Sequence, residues 1–198
     1  MWRNIKNKIL GHADVFFTPF NKIALKINGG EYGMNLKIKG FLRIHNPKGK
    51  IIIGDNVRIN SAEWANPIGF TGRTNLKVIG DGLIKIGNNV GISCASFVAN
   101  TSIIIGNRVL IGAGVKIYDT DFHSLNKDER FDATQKDVSV HSDSVQIGDD
   151  CFIGADAMIL KGVQIGDNVV VGANSVVTRN LESNSIYAGN PAILIRKL

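Results

Sequence analysis

From Ile147 onward an aliphatic residue falls at every sixth position, as Ile147, Ile153, Ile159, Ile165, Val171 and Val177, and no other feature of the chain restricts its folding so tightly. On an α-helix a step of six residues turns about 240°, so these side chains would scatter around the cylinder. The recurrent glycines at 148, 154, 166 and 172 would weaken each turn as well. A helix is therefore excluded for this half of the chain. Four positions after each aliphatic stands a small or β-branched residue, Cys151, Ala157, Val163, Val169 and Ser175, with Leu181 the large exception.

The same spacing occurs earlier as Ile86, Ile92 and Val98 and, after a slip of one residue, as Ile105, Ile111 and Ile117; Ile38 and Ile44, then Ile53 and Ile59, are fainter copies. Each hexad supplies a short strand and a turn. Gly, Asn and Asp provide the corner conformations that β-branched residues resist, as in Gly54-Asp55-Asn56 and Gly166-Asp167-Asn168. Three hexads close one triangular coil, and coils stacked about 4.8 Å apart set each aliphatic over its equivalent in the coil before, making a dry interior. The expected fold is all-β: a parallel β-helix prism over residues 36–198, with a short helical or irregular cap at 1–35, one long inserted loop at 118–146 and a C-terminal tail at 182–198.

Composition narrows the function classes. A chain of 198 residues with 44% hydrophobic and 20% charged residues reads as globular rather than disordered. No stretch approaches the roughly 20 apolar residues of a membrane-spanning helix, and Met1-Trp2-Arg3-Asn4-Ile5-Lys6 lacks the apolar run of a secretory signal, so a cytoplasmic location is expected. Two cysteines, Cys94 and Cys151, form neither a disulfide framework nor a C-x-x-C pair and read as core thiols. The net charge of +6 is uneven: residues 1–50 carry ten Lys or Arg against Asp14 and Glu31, and the remainder is slightly acidic. Trp2, Ile5 and Ile9 make an apolar stripe at helical spacing among Arg3, Lys6 and Lys8. We read this segment as a capping helix; a basic amphipathic helix also suits the anionic inner face of a membrane. No nucleic-acid motif accompanies the basic residues. The stretch Trp64 to Asn75 breaks the pattern and is expected to be an irregular coil lining an acceptor site.

Between Ile117 and Ile147 the repeat stops for a polar excursion that holds Asp119, Asp121, His123, Lys127, Asp128, Glu129, Arg130 and His141. Long loops inside a tight stack are usually functional. In Tyr118-Asp119-Thr120-Asp121-Phe122-His123-Ser124 an extended backbone would set Asp119, Asp121 and His123 on one side. A carboxylate that accepts the Nδ1–H of an imidazole fixes its tautomer and leaves Nε2 to take a proton from a hydroxyl or amine. A loop histidine with no task, and a metal-binding Asp-x-Asp-x-His, are the other readings of the same residues.

The hexad array, the loop opening with Asp-x-Asp-x-His, and the ending Ala188-Gly189-Asn190-Pro191-Ala192-Ile193-Leu194-Ile195-Arg196 resemble the hexapeptide-repeat acyltransferases, with bacterial sugar and polysaccharide O-acetyltransferases of the galactoside and maltose type nearest. The resemblance covers residues 36–198 and implies a left-handed β-helix. It further implies that His123 is the general base, with Asp121 orienting it and Asp119 less secure. Acetyl-CoA as co-substrate would lie between subunits of a homotrimer, against Ala155 and Ala173, with Thr178, Arg179 and Arg196 near its adenine and phosphates. No metal is implied. Phe152 stands where some relatives have tryptophan, and His123-Ser124 replaces a common His-Pro. The helical domain of the galactoside type is not recognisable in residues 1–35, so no acceptor residue carries over.

The activity this implies is transfer of an acetyl group to a hydroxyl of a sugar or surface-polysaccharide precursor. N-acetylation of an amino sugar, O-acetylation of serine, and a non-enzymatic scaffold are the alternatives. A zinc site of the γ-type carbonic anhydrase kind is excluded, because His12, His45, His123 and His141 contain no His-x4-His.

Overall fold

A computed structural model describes residues 13–69, 72–131 and 139–198. The stripe of Trp2, Ile5 and Ile9, and Phe70 and Thr71 of the irregular stretch, lie outside them. Among the described residues twenty strands form three sheets, A, B and C, of six, eight and six strands, parallel except for the last strand, and successive strands visit the sheets in rotation up to Val176–Val177. This is the left-handed parallel β-helix, and no described helix is long and apolar enough to cross a membrane.

Every aliphatic of the repeat except Val98 stands in one of three interior columns. Sheet A stacks Ile53, Ile86, Ile105, Ile147 and Ile165; sheet B stacks Ile38, Ile59, Ile92, Ile111, Ile153 and Val171. All eleven are almost wholly buried. Sheet C stacks Ile44, Leu76, Phe97, Ile117, Ile159 and Val177. Here the expectation needs correction: Phe97, not Val98, occupies the column, and it is the largest fully buried side chain. The step from Ile92 to the column is five residues rather than six, and the strand Ser96–Ala99 turns Phe97 inward while Val98 pairs with Tyr118. The 18-residue stacking interval holds from Ile147 to Val177, but Ile86 and Ile105 are 19 apart, because the corner between sheets C and A absorbs extra residues.

The corners are built as the composition suggests. At the corner from sheet A to sheet B, Asn56, Asn89, Asp150 and Asn168 adopt φ between 53° and 59°, the left-handed region that Asn and Asp tolerate. The side chains one residue earlier form a ladder. Asp55 N–H donates to Asn88 Oδ1, Asn88 N–H to Asn107 Oδ1, Asn107 N–H to Asp149 Oδ1 and Asp149 N–H to Asp167 Oδ1, at 2.7–2.9 Å. Each rung satisfies a backbone donor that a sharp turn would otherwise orphan. At the corner from B to C, a Cβ on Gly154 would come within 2.5 Å of Ala173 N, so only glycine lets these coils stack.

The open end of the prism is closed by α1 (Ala13–Ile27). Its inward face is partly polar. Thr18 Oγ1 accepts the N–H of Ile38 at 2.8 Å, buried Asn21 donates to Gly40 O at 2.9 Å and accepts from Leu42 N–H at 2.9 Å, and Leu25 fills the gap between. The helix thereby supplies partners to strand groups that lack a coil beneath them. The first strand, Gly30–Tyr32, already pairs with Ile51–Ile53, so the sheets begin directly after this helix. The irregular stretch contains a 3₁₀ turn, Glu63–Ala65, and regular structure resumes at Asn75.

Candidate active site

The excursion leaves the prism at the corner from sheet C to sheet A, the corner with the most variable length. Its neck is a short antiparallel crossing. Thr120 bridges Ser142, Asp121 N–H donates to His141 O at 3.1 Å, and Asp143 N–H donates to Asp119 O at 2.9 Å. His141 thus serves the neck through its carbonyl. Farther out, Glu129 gathers the arm, accepting from Ser124 Oγ at 2.9 Å, Asn126 Nδ2 at 3.1 Å and the Ser139 hydroxyl. These donors, Ser139 first, hold its carboxyl below the usual range. Asn126 caps a five-residue helix, α2 (Lys127–Phe131), by accepting Asp128 N–H at 3.0 Å. Residues 132–138 of the excursion lie outside the described residues.

The expected alternation of Asp119, Asp121 and His123 on one face does not occur. Asp119 is completely buried, and its two oxygens accept the backbone N–H groups of Asn100 and Thr101, each at 2.7 Å. It belongs to the corner, not to a reaction. Burial pushes its carboxyl up, against the opposing pull of those backbone donors. Asp121 turns the other way: Lys161 Nζ stands 3.1 Å from its Oδ1, while its buried Oδ2 has no hydrogen-bond partner among the described residues. At Phe122 the backbone takes φ 66°, unusual for an aromatic residue. This bend ends the extended run and delivers His123 exposed at the surface of the single chain. The Phe122 ring rests edge-on against Tyr118, with centroids 5.3 Å apart.

Lys161 was not singled out by sequence reasoning. It occupies the C-to-A corner one coil after the excursion departs, so stacking the repeat at its 18-residue interval would have placed it beside the loop's exit. Thr178 and Arg179 lie at this same corner one coil further on, both exposed.

Ala155 and Ala173 stand elsewhere. They stack on one another at the corner from B to C, where Asn174 N–H donates to Ala155 O at 2.8 Å. Sheet C therefore separates them from the loop of the same chain. Arg196 is on the antiparallel tail strand Ile193–Lys197 that extends sheet B, exposed, with Nη1 on Lys197 O at 3.2 Å. Asp121, Lys161, Thr178 and Arg179 thus stand at the same corner of successive coils, with His123 on the excursion that leaves it, and the two alanines stand at another corner. The outer face of sheet B carries Leu110 and Phe152, register partners that are 55% and 48% exposed.

Both cysteines are buried, and burial pushes the Cys151 thiol up to about 11, which leaves it a poor nucleophile. No cluster of three His, Cys, Asp or Glu side chains suited to a metal occurs among the described residues.

Residues 144–179 match the family described as the hexapeptide repeat of succinyl-transferase. Among solved structures the chain is similar to AntD, an N-acyltransferase from Bacillus cereus, in complex with dTDP and 3-hydroxybutyryl-CoA: identity is 26%, with 89% of this chain and 87% of AntD covered at a TM-score of 0.69. A variant of AntD holds dTDP-4-amino-4,6-dideoxyglucose and coenzyme A, at 26% identity, 89% and 88% coverage and a TM-score of 0.68. Galactoside acetyltransferase in complex with coenzyme A is 25% identical, with 84% of this chain and 64% of that one covered at a TM-score of 0.56. The polySia-specific acetyltransferase NeuO, at 20% identity, 85% and 82% coverage and a TM-score of 0.59, shares the fold. No curated protein sequence matches.

Proposed function

We propose that the chain is a hexapeptide-repeat acyltransferase that transfers an acetyl group from acetyl-CoA to a hydroxyl of a sugar or polysaccharide precursor, with His123 as the general base. The observation that supports this most directly is the excursion itself. It interrupts an otherwise regular prism and carries His123 two residues beyond Asp121, whose carboxylate Lys161 pairs, from a corner where Thr178 and Arg179 stand exposed in a later coil.

The chemistry is a direct transfer. A sugar hydroxyl is barely ionised near neutral pH; His123 Nε2 accepts its proton as the oxygen attacks the thioester carbonyl. The tetrahedral intermediate collapses with loss of the CoA thiolate, which recovers the proton from the imidazolium, and no acyl-enzyme forms. Asp121, held by Lys161, is the positioning residue. The guanidinium groups of Arg179 and Arg196 suit the cofactor phosphates, since the planar fork bonds phosphate oxygens in pairs. The small side chains of Ala155 and Ala173 leave backbone accessible to pantetheine amides. Because the alanines and the loop occupy different edges of one prism, the complete site takes His123 from one subunit and the alanine edge from a neighbour in a homotrimer. The apolar pair Leu110 and Phe152 marks sheet B as the flat side such packing would cover.

Similarity to AntD favours a second reading, N-acylation of an amino sugar carried on a nucleotide, in which the same base deprotonates an amine. The test follows CoA release from acetyl-CoA with free sugars, glycan precursors, nucleotide-linked amino sugars and serine. Replacing His123 with Ala is expected to lower kcat about 10²–10⁴-fold under conditions where the variant remains folded. Retention of most activity overturns the assignment of the base, and a preference for amine acceptors selects the second reading.

A further inference from the structure

Helix α1 is turned inside out. Its buried face holds Thr18, Asn21 and Leu25, whereas Phe16, Phe20, Ile23 and Ile27 recur at spacings of four, three and four on the opposite side. These four are 60%, 52%, 59% and 79% exposed. A helix that merely sealed the prism would put its apolar stripe against the core and its polar residues in water. Here the polar residues are needed inside, to satisfy the open strand edge, and an apolar stripe about three turns long remains outside.

The stripe does not end with the helix. Phe17 lies 4.9 Å from the ring of Phe41 and 5.8 Å from that of Trp64, and both of those side chains are about 40% exposed. Contiguous exposed apolar surface of this kind marks an interaction site. The charge around it indicates what interacts. Residues 13–78 carry ten Lys or Arg against four acids. Lys37, Lys39 and Arg58 surround one cavity at the foot of α1 with Asp14, and Arg73 lines the aromatic cavity with Glu63. Lys37 and Arg58 are direct register partners, a like-charge pairing that costs stability unless anions neutralise it. Lys22 and Lys26 flank the stripe over the ring of Tyr32.

We infer that α1 docks on an anionic lipid bilayer surface, with the Phe16, Phe20, Ile23 and Ile27 stripe in the acyl boundary and the flanking Lys and Arg side chains on the headgroups. An apolar helical stripe and a basic border are the two components that interfacial binding sums. The prism would then hang by its capped end, with its reactive corner free to meet acceptors at the surface. This inference is independent of the acyl-transfer reading, and its test needs no acyl donor.

The experiment is co-flotation of the full chain with vesicles of phosphatidylglycerol and phosphatidylcholine, and separately of phosphatidylcholine alone. Capture by the mixed vesicles, weakened by salt, is expected. The variant F16S/F20S/I23S, whose substituted side chains all face solvent, should reduce that capture by about tenfold or more while far-UV circular dichroism stays unchanged. The variant K37E/K39E should reduce it with the stripe intact. Absence of capture, equal capture by both vesicle types, or a fall in the sedimenting mass of the stripe variant, which would show a second copy covering the stripe, each overturns the inference.

Discussion

Lys161 holds Asp121 by one carboxylate oxygen, Nζ to Oδ1 at 3.1 Å, and leaves the other oxygen of Asp121 buried without a hydrogen-bond partner among the described residues. Both side chains are about three-quarters buried, so removing Lys161 leaves a largely desolvated carboxylate behind and lowers stability. The pair matters to the reaction as well if it fixes the carboxylate that positions His123. Lys161→Met should therefore lower kcat/KM about tenfold or more at a temperature where the variant remains fully folded, beyond what its loss of stability explains. Equal losses in stability and activity would reduce Lys161 to a structural residue.

Asp119 has the opposite profile. Asp119→Ala leaves the N–H groups of Asn100 and Thr101 without their acceptor, at about 1–3 kcal/mol each, partly offset by removal of a desolvated carboxylate. The expected result is a lower urea midpoint with catalysis reduced only as far as the neck loosens. Asp119→Asn should not rescue it, because the amide would direct N–H toward one of the two backbone donors.

Acid stability follows from the corner ladder. The backbone N–H of Asn107 lowers the Asp149 carboxyl, and Arg108, bonded to Asp150 at 2.5 and 2.7 Å, lowers that of Asp150. A carboxylate lowered in the folded state stabilises it above the unfolded value, about pH 4, and loses that contribution as pH falls through the folded value. D149N/D150N should be less stable than the parent at pH 7, with the gap closing on acidification. Denaturation midpoints at several pH values read this directly; a gap constant with pH would contradict it.

Phe97 is expected to be the most costly single truncation in the interior. Phe97→Ala should destabilise by about 3–5 kcal/mol, because rigid coils on both sides, at Leu76 and Ile117, cannot collapse into the space. Phe97→Leu should recover most of that loss in a chemical denaturation series.

The columns were readable because a parallel stack repeats one environment, so Ile147 through Val177 announce their places by spacing alone. Phe97 was misread because a five-residue step leaves the aliphatic Val98 where a six-residue count expects it, and only the backbone decides which of two adjacent apolar residues turns inward. The alternation of Asp119, Asp121 and His123 assumed an extended chain. The left-handed turn at Phe122 and the buried corner donors that capture Asp119 are three-dimensional facts with no local signature. Lys161 lay hidden in the opposite way, as an ordinary corner residue made interesting by what the preceding coil sends out beside it. The outward stripe of α1 was obscured because spacing reports that a helix has two faces without saying which one meets the core.

The placement of the loop and the alanine edge on different corners makes a subunit-mixing experiment informative. Two defective versions of the chain, one altered at His123 and the other with Ala155 made bulky, should each be inert, yet combined by unfolding and refolding together they should regain turnover, since some clefts would draw an intact imidazole and an intact thioester groove from different parents. Under the proposed homotrimer, specific activity should likewise decline on dilution, as rings fall apart into protomers that each carry every necessary residue and no finished catalytic centre.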